Sequence, residues 1–360
     1  MRVLVTGASG WIGSAAVADL LAAGHHVVGL ARSDASAAAV TAAGAEALRG
    51  SLDDLDLLRR AASELDGVLH LAFKHDIAFS GGYLDAVEAD RRVIEAFGEA
   101  LEGSGRPLAI ASGTPALPLG RPITEEDGHG ADLDRLPEGI RGRMANAELA
   151  LSLPGVRSSV LRFPPTVHGE GDPGFVATLV RIARDSGVSG YVGDGANRWP
   201  SVHRSDAARL CRLALEKAPA GSTLHATAEE GVPTRAIAEA IGTRLGLPAE
   251  SVPHEKAADH FTWLAEFYGA DIRVSSTRTR ACWTGGPRAR PSSTTSGEAA
   301  TPPDSHGRPA LSILGRGERR SSMIAPRPPG GRRAAVPPRT WPPRCTAASH
   351  AEPHRPRRRK

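Results

Sequence analysis

The chain has 360 residues, of which 41% are apolar and 23% charged, the balance of a globular protein large enough for two or three domains. The formal charge of +4 is uneven, because residues 281–360 hold 16 Lys+Arg against 4 Asp+Glu and the first 280 residues carry the surplus of acid. No apolar run is long enough for a membrane span, the amino end lacks the apolar segment of a secretory signal, and any nucleic-acid contact has to rest on the basic tail.

In chain order, Arg2–Val5 reads as a short apolar strand, followed by a glycine loop and a helix from Trp11 to about Ala23. His26–Ala31 is a second strand, Ala35–Ala43 a helix, Ala45–Leu48 a third strand and Asp53–Leu65 a helix with acids in its first turn. Val68–Ala72 and Leu108–Ala111 are the fourth and fifth strands, separated by a long helix over Tyr83–Leu101. Ala145–Leu153 is helical and Ser158–Phe163 a sixth strand. Alternating strands and helices imply right-handed crossovers and a parallel sheet covered on both faces. Beyond Phe163, helices near Gly174–Asp185, Arg204–Lys217, Thr234–Leu245 and Ala257–Phe267 suggest a smaller lobe over the carboxyl ends of the strands, where open α/β sheets bind ligands. The expected architecture is thus α/β: a Rossmann, doubly wound parallel sheet over residues 1–165, with 202–228 returning to it. A smaller C-terminal substrate lobe spans 166–280 and a disordered tail 281–360.

The stretch VTGASGWIG, Val5 to Gly13, places Gly7, Gly10 and Gly13 between the first strand and its helix. These glycines permit a tight turn, close approach of a phosphate and tight helix–strand packing, and the free N–H groups of the helix start face the pyrophosphate. The second strand ends at Ala31-Arg32-Ser33, without the acid that usually holds the ribose hydroxyls of NAD. A guanidinium and a hydroxyl suit a 2′-phosphate, so NADP is the preferred cofactor and NAD a possible one; a solvated surface arginine is the other reading of Arg32.

TGASGWIG, the HLAF stretch ending at Phe73, LRFPPTVHGEGD at Leu161–Asp172 and VHRSDAARL at Val202–Leu210 together resemble the extended short-chain dehydrogenase/reductase family, of the NAD-dependent epimerase/dehydratase type. The resemblance covers about residues 1–280 and implies a Rossmann fold with cofactor contacts at Gly7, Ser9, Gly10, Trp11, Ile12, Gly13, Arg32, Ser33, Ser51, Leu52, Leu71, Ala72 and Phe73. It does not fix a substrate. Family enzymes use a tyrosine four residues before a lysine on the helix after the fifth strand, one helical face carrying both. This chain departs from that pattern: Val87, Gly195 and Ile272 stand four residues beyond its three tyrosines, and alignment on Ala147-Glu148 puts Ile140 and Met144 at the pair's positions, to within a residue.

Other groups are candidates for the chemistry. Ser112 and Thr114 follow the fifth strand, where the family places a serine on the substrate oxygen; loop hydroxyls capping backbone groups are the alternative. His75, beside Lys74, follows the fourth strand, and His168 stands where the family has a tyrosine; a histidine can exchange protons near neutral pH. Arg198 and Trp199 resemble the family's substrate-lobe strand, Arg198 for a polar or anionic substrate and Trp199 as a pocket wall, with a plain surface pair as the other reading. Cys211, Cys282 and Cys345 have no metal-like spacing, so no metal site is expected and a reducing cytoplasm is the expected location.

The segment beyond Arg280 holds 14 of the 28 prolines, no Phe or Tyr, and fifteen Arg against one Lys. Such a chain cannot bury enough apolar surface to offset its ordering entropy, so disorder is expected. A second reading frame across the codons of Ala281 to Ser296 can spell LLDxxPxGPALLDDL, similar to the family's closing segment, and the tail therefore reads as frameshifted. If genuine, it is a basic arm for nucleic acid.

The expected function is an NAD(P)(H)-dependent oxidoreductase acting on a small carbonyl or alcohol, with a non-catalytic NADP(H)-binding sensor as the alternative. Its partners are a small-molecule substrate, no membrane, and a possible second copy of the chain through a helix carrying Met144 and Leu149, residues that a buried core face explains equally well.

Overall fold

From its second residue on, the first strand, β1 (Arg2–Thr6), is buried, and only a sheet covered on both faces meets that condition. The computed structural model describes residues 1–284 apart from 79, 116, 118, 131–133, 135 and 137. Around β1 lie β2 (His26–Ala31), β3 (Glu46–Arg49), β4 (Gly67–His70), β5 (Pro107–Gly113), β6 (Arg157–Phe163) and β10 (Ser222–His225). They form a seven-stranded sheet in the order β3-β2-β1-β4-β5-β6-β10, and every pairing in it is parallel. Strand order reverses between β1 and β4, where Val5 is in register with Gly29 on one side and Leu69 on the other. That reversal opens a crevice at the carboxyl ends of the strands.

Two cores cover the sheet. On one face α1 (Trp11–Ala22), α2 (Asp34–Ala42) and α8 (Arg204–Lys217) bury Val17, Leu20, Val40 and Leu215 against Val3, Val5 and Leu161. On the other, α3 (Leu55–Glu64), α5 (Tyr83–Leu101) and α6 (Glu138–Leu151) bury Leu58, Phe97 and Ala150 against Leu4, Val68 and Ile110. A short helix, α4 (His75–Ala78), links β4 to α5.

The smaller lobe is richer in strands than its sequence suggests. β7 (Thr166–His168), β9 (Arg198–His203) and β11 (Glu229–Pro233) form one sheet, and β8 (Ser189–Val192) with β12 (Ala249–Val252) another. These strands are three to six residues long, too short to show a period of two. With α7 (Phe175–Ser186) and α9 (Thr234–Leu245) they enclose Trp199, Phe261, Leu264 and Tyr268. The single helix expected over Ala257–Phe267 is broken into α10 (Ala257–Phe261) and α11 (Ala265–Gly269), with Thr262 in a left-handed φ of 53°.

Two further boundaries differ from expectation. α6 begins at Glu138, seven residues before Ala145, because contacts with α5 outweigh the poor helix propensity of Gly139 and Gly142. A last helix, α12 (Thr277–Thr284), carries order four residues past Arg280, and the rest of the expected tail lies outside the described residues. Among the described residues no helix is long and apolar enough to cross a membrane.

Candidate functional site

The glycine loop closes as a cradle at the amino end of α1. Gly7 has φ +69°, and a Cβ there would meet the Ala72 amide nitrogen at 2.9 Å. A Cβ on Gly13 would lie 1.9 Å from the Gly7 carbonyl oxygen, so only glycine lets the helix approach the strand this closely. The helix N-cap is Gly10, which supplies no side-chain hydrogen bond to the first turn. The positive end of the helix is therefore left open, the condition for holding an anion.

One cation of this cradle comes from the VHRSDAARL stretch, nearly two hundred residues beyond the glycine loop. Arg204, at the start of α8, stacks on Trp11 with its guanidinium carbon 4.2 Å from the ring and donates from Nη2 to Ser14 Oγ at 2.5 Å. Its Nε is buried without a partner. Trp11 Nε1 donates to the Val167 carbonyl at 2.8 Å and ties the smaller lobe to the loop.

A second group of side chains gathers at the ends of β4 and β5. Ile110 packs in the core beneath α5 and α6, so Ser112, two residues on, faces the same side. Its Oγ is buried and has no hydrogen-bond partner, so it caps no backbone group. Next to it, Arg143 of α6 donates from Nη2 to the Ala111 carbonyl at 3.1 Å and lays its guanidinium 3.9 Å from the Phe73 ring centroid. Arg143 Nη1 is buried without a hydrogen bond, 3.8 Å from Asp90 Oδ2. Thr114 is half-buried and donates its amide to the Phe163 carbonyl at 3.1 Å. His75 is exposed at the rim, its ring 5.1 Å from that of Phe73. The surrounding protein and then the charge of Arg143 lower its pKa, so it is neutral at pH 7.

α6 turns a different face to the crevice than the alignment suggests. Ile140 and Met144 pack with Leu117, Ile123 and Val274 in a separate apolar cluster. Gly139, Arg143 and Asn146 face α5 and the strand ends instead. Met144, 2% exposed, is core within this chain.

Beneath this group runs a buried polar chain. Thr6 Oγ1 accepts from the Ala72 amide at 3.2 Å and lies 2.6 Å from His70 Nδ1; His70 Nε2 lies 3.1 Å from Asp90 Oδ1, and Asn146 donates to Asp90 Oδ2 at 3.0 Å. Burial alone would raise the Asp90 pKa, but the hydrogen bond with His70 and the charge of Arg143 outweigh it and hold the carboxyl below its ordinary range.

The other expected residues divide between the crevice rim and elsewhere. Arg32 follows β2 and pairs with Asp76 at 2.9 Å, both largely exposed, while Ser33 caps α2 through Ser36. Ser9 is exposed in the loop and Ile12 packs under it. Ser51 holds the turn after β3, accepting from the Asp53 amide at 3.1 Å, and Leu52 packs on the core. Lys74 is held by both oxygens of Asp53, at 2.6 and 2.8 Å. Leu71 and Ala72 lie against Gly7. His168 is buried edge-on to His203, 5.4 Å between centroids, on the Trp11 side and not beside Phe73. Trp199 is 1% exposed inside the lobe core. Arg198 forms a two-pronged pair with Asp271, at 2.9 and 2.8 Å.

A model of the NAD dependent epimerase/dehydratase family matches residues 3–127. An uncharacterized protein of Schizosaccharomyces pombe is 46% identical over 282 residues, 78% of this chain and 92% of that one. The chain belongs to the NAD dependent epimerase/dehydratase family. A 2′-dehydrokanamycin reductase of Streptomyces kanamyceticus is 29% identical over 265 residues, 72% of this chain and 71% of the reductase. Among solved structures, the UDP-glucose 4-epimerase of Thermus thermophilus in complex with NAD superposes with a TM-score of 0.59 at 22% identity, over 78% of this chain and 92% of that one. At that identity the likeness concerns the fold. As an epimerase/dehydratase-type chain of the NAD(P)-dependent oxidoreductase class, it keeps the glycine cradle, and its α6 carries neither tyrosine nor lysine.

Proposed function

We propose that the chain is an NADP(H)-dependent oxidoreductase that interconverts a small carbonyl compound and its alcohol. The observation that carries this reading is Ser112 Oγ, a hydroxyl buried without a partner at the end of β5, on the crevice face of the sheet. An orphaned buried hydroxyl costs about 1–3 kcal/mol, and a substrate oxygen accepting its proton would remove that cost.

The open first turn of α1, Gly7, Gly13 and Arg204 fit the pyrophosphate of a dinucleotide. Arg32 fits a 2′-phosphate: its exposed pair with Asp76 is worth at most about 1 kcal/mol, so a phosphate dianion competes well for the guanidinium. Leu71 lies against Gly7 of the cradle, and Phe73 lies under Arg143, which bonds the Ala111 carbonyl next to Ser112. When bound, the nicotinamide supplies or takes the hydride. Ser112 orients the substrate oxygen, with Thr114 beside it, and neutral His75 at the rim relays protons to solvent.

Titration with NADPH and NADH, followed by a panel of aldehydes and ketones, tests the reading. NADPH should bind more tightly than NADH, some carbonyl compound should consume it, and Ser112→Ala should slow turnover about 10–1,000-fold, the range for an oriented donor. Tight NADPH binding with no turnover on any carbonyl would favour the sensor function. No binding of either nucleotide would sink both.

A further inference from the structure

The proposed reaction needs a proton donor, and the polar groups around the crevice narrow the choice. Lys74 is held by both oxygens of Asp53. His168 sits with His203 on the Trp11 side. Tyr268 is fully buried and donates to the Thr234 carbonyl at 3.1 Å, and Tyr191 lies in the smaller lobe beneath Arg235. Tyr83 is different. It opens α5, is half-buried, and its ring lies 6.0 Å from that of Phe73, over which Arg143 is stacked.

The packing of Tyr83 explains why α6 carries a glycine four residues before Arg143. A Cβ on Gly139 would come within 2.8 Å of Tyr83 Cδ1 and 3.1 Å of Cε1. The ring therefore fills the space that a side chain at 139 would occupy, one helical turn above Arg143 on the face toward the strand ends. Arg143 in turn is fixed by the Ala111 carbonyl, by Phe73 and by the nearby Asp90 carboxylate, yet keeps a buried Nη1 without a hydrogen bond. An orphaned cationic donor and the ring of a phenol thus share Phe73 as a neighbour, beside the strand that carries the orphaned Ser112 hydroxyl.

We infer that Tyr83, delivered by α5 and not by α6, is the group that protonates the substrate oxygen, with Arg143 as the positioning residue that steadies the charge left behind. The inference rests on the oxidoreductase reading above. In the reducing direction the Tyr83 O–H bond breaks and its proton goes to the substrate oxygen, while the bonding pair stays on the phenolate. The carbonyl carbon is reduced by the hydride of the reduced nicotinamide, which is oxidised, and solvent returns a proton to Tyr83. Burial raises the Tyr83 pKa, Arg143 draws it down and Asp90 opposes Arg143, with the first effect dominant. The phenol therefore stays protonated through neutral pH, as a donor must.

The test combines kinetics with a spectroscopic readout. Tyr83→Phe should lower kcat about 100-fold or more, the span of a lost general acid, with the Kd for NADPH unchanged. In protein labelled with 3-fluorotyrosine, Tyr83→Phe identifies the resonance of residue 83. That resonance should move on addition of NADP⁺, and its titration should shift to higher pH in Arg143→Met and return in Arg143→Lys. Full activity in Tyr83→Phe, or a residue-83 resonance indifferent to both NADP⁺ and Arg143→Met, would overturn the inference. Failure of the wild-type protein to bind NADPH would instead remove the reading beneath it, so the two failures are distinguishable.

Discussion

His70 Nε2 and Asp90 Oδ1 lie 3.1 Å apart in a site where both side chains are at most 5% exposed. The ionised Asp90 carboxylate can only accept, so His70 Nε2–H donates to it; Nδ1 of the neutral ring then accepts the Thr6 hydroxyl hydrogen, while Thr6 Oγ1 also accepts the Ala72 amide. The chain links the residue before the glycine loop to the helix that carries Arg143, and the polar groups below the crevice behave as one unit.

Asp90 is accordingly expected to contribute to the acid limb of stability. Its folded pKa is depressed, so its contribution is full above the unfolded value of about 3.9 and fades as pH falls through the lower folded value. Asp90→Ala strands His70, Asn146 and Arg143 together and should cost about 3–5 kcal/mol in urea unfolding at pH 7. Asp90→Asn should cost less and flatten the loss of stability below pH about 4. An acid limb unchanged in Asp90→Asn would show that the carboxylate is not the charge that matters.

Gly13 tests the cradle. Its missing Cβ is all that keeps α1 clear of the Gly7 carbonyl, 1.9 Å from where the carbon would sit. Gly13→Ala must push the helix start outward, costing about 1–3 kcal/mol as overpacking and weakening NADPH binding at least about tenfold. Gly24→Ala provides the comparison, since nothing lies within 4 Å of a Cβ there; it should leave NADPH binding unchanged despite φ +82°. Equal Kd values for the two variants would mean that the glycine loop does not hold the dinucleotide.

These contrasts show what the sequence discloses. Gly7, Gly10 and Gly13 act through local backbone geometry; β1, α1 and β2 are legible from their place around that loop, and α5 and α8 as long helical segments of 19 and 14 residues. The roles of Arg143, Tyr83 and Arg204 are not legible, even though Arg204 stands in the VHRSDAARL stretch: each matters through a partner far away in the chain, Ala111, Gly139 and Trp11 respectively. Gly139 and Gly142 even mislead, since they argue against the helix they belong to, while a Cβ on either would collide with Tyr83 or Val87. The surroundings of Trp199 are equally hidden from its local sequence, because Phe267 and Tyr268, which it touches, lie some seventy residues on.

Cofactor choice turns on Arg32 and its partner. Arg32→Ala removes a charge-assisted bond worth about 1.5–3 kcal/mol and should raise the Kd for NADPH about tenfold or more, leaving NADH unaffected. Asp76→Asn should act in the opposite sense, because the Asp76 carboxylate competes with a 2′-phosphate for the guanidinium. Isothermal titration with both nucleotides decides it. A parallel loss of NADPH and NADH affinity in Arg32→Ala would show that the residue does not read the phosphate.

The last helix is a clamp whose contribution rests on one threonine. Thr279 donates from its amide and its hydroxyl to Glu125 Oε1, at 2.8 and 2.7 Å, and its hydroxyl accepts from the His225 amide at 2.8 Å. Glu125 is buried, with Oε2 unpartnered, so it has no other group to turn to. Ser276 adds a bond to the Thr227 carbonyl at 2.6 Å and holds the start of α12 over β10. Thr279→Val keeps shape and removes all hydroxyl bonding, and should cost about 1–3 kcal/mol; Thr279→Ser should cost less, since the hydroxyl survives. A chain ended after residue 284 should unfold at the same urea concentration as the full chain, whereas one ended after residue 275 should lose several kcal/mol, because Glu125 and the His225 amide then lose the same partner at once. If both truncations unfold alike, α12 does not close the body.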